Sequence, residues 1–167
     1  VLVSRAVAEE LTAALVRRAE TLRTGPIPEE EAFFGPLNNE RQFERVSRLV
    51  EERPAHSTLL TGGHRVGRTG YYYAPTVISG LRQEDRLIQE EIFGPVLTVQ
   101  VFDDDDEALA MANGVDYALS SSIWTADHRR VLRFCRDLDF GCVWVNTHIP
   151  LVAEMPHGGF KRSGYGK

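Results

Sequence analysis

Glu90-Glu91-Ile92-Phe93-Gly94-Pro95-Val96-Leu97-Thr98-Val99-Gln100-Val101-Phe102 is the stretch whose reading decides the fold. Its second half is a nearly continuous apolar run, which predicts a strand buried on both faces, as strands of a parallel sheet are. The acidic run Asp103 to Glu107 that follows predicts a helix N-terminus, because carboxylates meet the positive end of the macrodipole and an Asp can cap it. Ala108, Leu109, Met111 and Ala112 continue that helix. Further on, Ser120 to Trp124 reads as a strand, and Asp127 caps a helix carrying Val131, Leu132, Phe134, Cys135 and Leu138. Gly141 closes that helix before the strand Cys142 to Val145. This alternation predicts an α/β fold with a mostly parallel sheet flanked by helices.

Upstream, Ser4 is a candidate N-cap for a helix whose apolar face is Val7, Leu11, Leu15 and Leu22. Thr24-Gly25-Pro26-Ile27-Pro28 ends it, since the prolines lack backbone donors, and a loop runs on to about Pro36. A second helix is expected from Glu40 to Glu52, with Phe43, Val46, Leu49 and Val50 at helical spacing and a stop before Pro54. From Ser57 the period changes. Thr58-Leu59-Leu60 and Tyr71 to Ile78 read as strands joined by a turn containing Gly62-Gly63.

The 167 residues are 43% hydrophobic and 26% charged, enough for one compact domain with its own core. A net charge of -5 provides no basic field for nucleic acid or anionic membrane surfaces, so neither is an expected partner. The longest apolar runs fall well short of the roughly 20 residues that span a bilayer, and the first residues do not have the form of a signal peptide. The sequence-based expectation is a cytoplasmic protein. The two cysteines, Cys135 and Cys142, give no disulfide framework and are expected in the core. The histidines at 56, 64, 128, 148 and 157 are too scattered for a zinc site, and no metal is expected.

Three motifs remain. Two adjacent glutamates before Ile-Phe-Gly-Pro point in different directions, so one can face a cleft. Trp144-Val145-Asn146-Thr147 and Met155-Pro156-His157-Gly158-Gly159-Phe160-Lys161-Arg162-Ser163-Gly164-Tyr165-Gly166-Lys167 follow. The last has the glycine spacing of a phosphate-binding loop, but Tyr165-Gly166 stand where that loop needs Lys and Ser or Thr, and the glycines are read as a tight surface turn. No Gly-x-Gly-x-x-Gly dinucleotide fingerprint is present.

In order and spacing these motifs resemble the C-terminal part of the aldehyde dehydrogenase superfamily, over essentially the whole chain. The resemblance implies a partial catalytic domain spanning 1–167. The N-terminal cofactor domain, the cysteine nucleophile loop, the general base and a C-terminal oligomerisation strand would lie outside it. It further implies a parent enzyme that oxidises an aldehyde to its carboxylic acid with NAD or NADP and assembles as a homo-oligomer, dimer or tetramer. Under this resemblance Glu91 accepts hydrogen bonds from the nicotinamide ribose hydroxyls and Phe93 packs near the nicotinamide, a role that suits a carboxylate facing a vicinal diol. Gln42 and Arg45 match positions near the cofactor, although a solvated helical face accounts for them as well. The segment from Asn146 to His157 lines the aldehyde tunnel, with Asn146, Glu154 and His157 as candidate substrate-binding residues. Thr-His after Val-Asn and Glu-Met-Pro-His before Gly-Gly are most similar to the γ-aminobutyraldehyde branch. There Glu154 would favour an ammonium-bearing aldehyde such as 4-aminobutanal by about 1 kcal/mol at a wet site. The isolated chain is expected to be inactive. The alternatives are a non-catalytic partner-binding domain, or an independent enzyme using Cys135 or Cys142, against which the helix C-terminus beside Cys135 and the apolar strand around Cys142 both argue.

Overall fold

The computed structural model describes residues 1–26 and 31–166. Ile27-Pro28 of the expected helix stop, the first residues of the loop after it and the terminal Lys167 therefore lie outside the described residues. The chain divides into two compact units, Val1–Asp103 and the residues from Asp104 onward.

In the first unit the opening apolar residues form β1 (Leu2–Ser4), and a single 3₁₀ turn leads into α1 (Ala8–Thr21). Ser4 stands at the cap position of that 3₁₀ turn but its side chain makes no capping hydrogen bond. Short strands β2 (Arg23–Thr24) and β3 (Ala32–Phe34) pair in parallel inside the expected loop. Helix α2 (Glu40–Glu51) follows the predicted span closely, capped by the Asn39 side chain accepting from the Gln42 N–H. Strands β4 (Thr58–Thr61) and β5 (Thr76–Ser79), the one-turn helix α3 (Arg86–Gln89) and β6 (Val96–Phe102) complete the unit.

The sheet order is β1-β6-β5-β4, with β1 and β5 parallel to β6 and only β4 antiparallel. Successive residues of a strand face opposite sides, and β5 divides the core accordingly. Val77 packs with Val3, Ala19 and Val99 under Leu15 and Val16 of α1, whereas Ile78 packs with Val46, Leu49 and Val50 of α2. One helix thus covers each face. The expected strand from Tyr71 shortens to Thr76–Ser79, Tyr73 contributing one isolated bridge to Arg65, because Pro75 has no N–H to give a ladder.

Two expectations of burial are corrected here. Along β6 Val99 and Gln100 are buried, but Val101 is exposed. On this face α1 offers Ala8, Thr12 and Ala13, too small to fill the space, and a groove of about 770 Å³ remains between the helix and Val99 and Val101. Val7 and Leu11 are exposed as well, so the buried face of α1 is narrower than its apolar spacing suggests.

In the second unit the acidic run does start a helix, α4 (Asp105–Asn113), with the Asp104 carboxylate accepting from the Glu107 N–H. After β7 (Tyr117–Ala118) come β8 (Ser120–Ile123), α5 (His128–Asp137) and β9 (Cys142–Val145), a βαβ unit whose strands pair in parallel from Ser120 with Cys142 to Ile123 with Val145. Asp127 caps α5 by accepting from the N–H groups of Arg129 and Arg130. Phe134 and Leu138 are buried, but Leu132 and Cys135 are exposed and Cys142 is half-buried. Cys135 is therefore not a core residue: it lies between Arg133 and Arg136, which pair with Asp106 and Asp137 at the surface. Among the described residues no helix is long and apolar enough to cross a membrane.

Candidate functional site

The Glu90–Pro95 turn joins α3 to β6, and its sequence explains its shape. Ile92 is buried in the α2-side core and anchors the turn. Its neighbours Glu91 and Phe93 are both exposed, Phe93 to 71%. Phe93 adopts φ 58°, the left-handed region that a bulky L-residue rarely enters. Gly94 then presses on α2 so closely that a β-carbon would stand 2.8 Å from Val46 Cγ2. The Pro95 carbonyl accepts from Thr76 N–H at 2.8 Å and ties the turn to β5.

Two side chains of α2 reach this turn. Gln42 Nε2 donates to the carbonyls of both Ile92, 3.0 Å, and Phe93, 2.8 Å. Arg45 Nη1 donates to Ile92 O at 2.7 Å, and Arg45 Nη2 stands 3.7 Å from Glu90. Glu90 in turn accepts from Arg86 Nε at 2.7 Å, and Arg86 pairs with Glu52. The Arg86 hydrogen bond holds the Glu90 carboxyl below the usual carboxylate range, its pull outweighing the opposite effect of burial. The two glutamates thus have separate fates: Glu90 is bound into an ion-pair chain and Glu91 is exposed.

The second set of expected residues belongs to the other unit. Asn146, at φ 52°, ends β9, and its side-chain amide exchanges two hydrogen bonds with the Thr125 backbone, 2.8 and 3.0 Å. Its polar atoms therefore join the ends of β8 and β9. Trp144 Nε1 donates to Pro150 O at 2.9 Å, and the His148 ring stands edge-on to the indole. Glu154 and His157 are exposed, as are Ile149, Leu151, Val152 and Met155. At the end of the segment Gly159 is buried and β10 (Phe160–Lys161) pairs antiparallel with β7. Lys161 Nζ donates to the carbonyls of Asn113 and Val115 at the C-terminus of α4, where a cation suits the helix dipole. The glycine-rich segment is thus a tight turn against β7. Among the described residues no three His, Cys, Asp or Glu side chains cluster as a metal site.

The sequence did not reveal what Gln42 does. Asn39-Glu40-Arg41-Gln42 has the spacing of a capping box, in which the Gln side chain would return to the cap N–H. Its amide instead serves the turn fifty residues on. The one available signal was the Gly-Pro pair after Phe93, which marks a constrained corner.

A mostly parallel sheet covered by a helix on each face, with a crossover connection that presents a carboxylate and an aromatic ring, defines the class, an α/β domain. The family model described as the aldehyde dehydrogenase family matches residues 1–167, and the chain belongs to that family. It is 34% identical to an aldehyde dehydrogenase of Emericella nidulans over 100% of this chain and 34% of that protein. It is 35% identical to a betaine aldehyde dehydrogenase of Bacillus subtilis over 99% of this chain and 35% of that protein. An aldehyde dehydrogenase of Bacillus cereus, solved as an NAD+ complex, superposes with a TM-score of 0.92 at 33% identity, covering 98% of this chain and 34% of that one. The chain spans about a third of the length of these relatives.

Proposed function

We propose that this chain supplies the nicotinamide-facing turn and part of the aldehyde-facing wall of an NAD(P)+-dependent aldehyde dehydrogenase, the whole protein oxidising an aldehyde to its carboxylic acid. The observation that carries this reading is the exposure of Glu91 and Phe93 on either side of the buried Ile92, with Phe93 held out by a left-handed backbone. Strain of that kind, of order 1–3 kcal/mol, persists where the surroundings over-determine it and collects at ligand sites.

The two side chains fit a nicotinamide riboside. An exposed carboxylate can accept from both hydroxyls of a ribose, and an uncovered aromatic ring can pack on a flat heterocycle. When bound, the cofactor supplies the hydride acceptor. This chain's own part is to orient it: Glu91 fixes the ribose, Phe93 supports one side of the nicotinamide, and Gly94-Pro95 set the angle at which both are offered.

Measuring NAD+ binding and kcat/KM in the full-length protein tests this. Glu91→Gln replaces an ionic acceptor with a neutral one and is expected to weaken NAD+ binding about 10-fold or more, at the 1.5–3 kcal/mol typical of hydrogen bonds to charged groups. Unchanged binding in both Glu91→Gln and Phe93→Ala would remove the support for the reading.

For the aldehyde we infer an ammonium-bearing substrate, with 4-aminobutanal as the specific proposal. Glu154 places a carboxylate in the exposed 147–157 segment, and betaine aldehyde, which some relatives are named for, also carries a cationic nitrogen. At about 1 kcal/mol the attraction corresponds to a roughly fivefold preference for 4-aminobutanal over butanal, and Glu154→Gln is expected to abolish it. An unaltered kcat/KM ratio rejects that substrate class. Assembly of the full-length protein as a homodimer or homotetramer belongs to the same proposal and is checked by its mass in solution.

A further inference from the structure

The bonds from α2 to the Ile92–Phe93 backbone raise a question separate from what Glu91 and Phe93 touch. In an extended chain successive carbonyls point to opposite sides, so one side-chain amide cannot bind two in a row. Gln42 Nε2 reaches both Ile92 O and Phe93 O, within 3.0 Å. That is possible only where the backbone turns, and Phe93 turns at φ 58°. The double hydrogen bond therefore selects the left-handed conformer over the extended one.

Arg45 adds a second lock on the same oxygen of Ile92. Its other nitrogen faces Glu90, which Arg86 holds, and Arg86 is itself paired with Glu52. Both residues of α2 thus direct their donors at the turn. One helical turn separates them, which is what lets them close on it together.

We propose that Gln42 and Arg45 are positioning residues, acting on the cofactor through the carbonyls of Ile92 and Phe93. They keep Phe93 in its left-handed state and so set the place of the ring and of the Glu91 carboxylate. This rests on the reading that Glu91 and Phe93 face the nicotinamide riboside.

Two measurements test the proposal. In the full-length protein carrying 4-fluorophenylalanine, the Phe93 ¹⁹F resonance is identified by its loss in Phe93→Leu. Gln42→Leu is expected to shift it, while Arg45→Lys, which keeps a donor, leaves it nearly in place. In the same protein, hydride transfer is followed in a single turnover at saturating NAD+. Gln42→Leu is expected to slow it about 10- to 100-fold, the cost of a misplacement near 1 Å, a larger factor than the one by which it weakens the NAD+ Kd. Arg45→Lys recovers most of the rate that Arg45→Leu loses.

The reverse pattern, a weakened Kd with an unaltered transfer rate, means direct cofactor contact and overturns the proposal, as does a Phe93 resonance indifferent to Gln42→Leu. Glu91→Gln separates this from the underlying reading. If it and Phe93→Ala both leave NAD+ binding untouched, the cofactor assignment itself falls. If it weakens binding while Gln42→Leu and Arg45→Leu do nothing, only the positioning role is lost.

Discussion

Gly141 lies so close to Gly158 that a β-carbon on it would stand 1.6 Å from the Gly158 carbonyl oxygen. Leu119 O would lie 3.0 Å from the same β-carbon. The approach joins the start of β9 to the end of the 147–157 segment, which makes it a determinant of where that segment runs.

Gly141→Ala is therefore expected to cost about 3 kcal/mol or more, at the upper end of what overpacking causes, since both obstacles are backbone and neither can rotate away. The loss should appear in urea melts as a lowered midpoint for the unit from Asp104 onward. A midpoint within experimental error of the parent would mean that the segment shifts freely.

Phe93 gives the opposite sign. Its ring is largely exposed and contributes little burial, whereas its backbone occupies a conformation that disfavours any β-carbon. Phe93→Gly should be more stable than Phe93→Ala by about 1 kcal/mol, because glycine enters the left-handed region without steric cost. Equal stabilities would show that the turn relaxes once the ring is gone.

Tyr73 is buried at 2% exposure, and its hydroxyl finds no hydrogen-bond partner among the described residues. Burial first, then the negative charge of Glu51, pushes its phenol up to about 12. A group that holds its proton more tightly when folded contributes stability that is present below the unfolded pKa, about 10, and lost as pH rises through the folded value. The chain is expected to lose stability between about pH 10 and 12, and Tyr73→Phe to remove that loss. At neutral pH Tyr73→Phe should be neutral or stabilising, since it deletes an unsatisfied polar atom while keeping the ring. Chemical denaturation at pH 7 and at pH 11 checks both arms.

Phe33, Trp124, Leu132, Ile149, Leu151, Val152, Met155 and Tyr165 are all exposed. Apolar surface on that scale promotes association, so the isolated chain is expected to dimerise or aggregate as its concentration rises. Light scattering across a concentration series measures it, and a constant monomer mass would refute the expectation.

Much of the architecture was legible along the chain. Phe43, Val46, Leu49 and Val50 repeat at helical spacing and all face the core, and Asp104 and Asp127 cap the helices they precede. Exposure was harder to read. Cys135 and Leu132 look like core residues in a helical pattern, yet the stripe that α5 buries runs through Phe134 and Leu138. The alternation of Glu91 and Phe93 about Ile92 could be anticipated, but not that Gln42 and Arg45 would be spent on the intervening carbonyls.

Periodicity, caps and Gly-Pro punctuation are local, so the sequence by itself determined most of the longer helices and strands and that Gly94-Pro95 would mark a corner. Only the tertiary structure decided that Phe93 turns left-handed and that Gln42 reaches its carbonyl. That conformation is unfavourable for the residue alone, and it persists because donors from a helix fifty positions away, and the contact of Gly94 with Val46, stabilise it after the chain has folded.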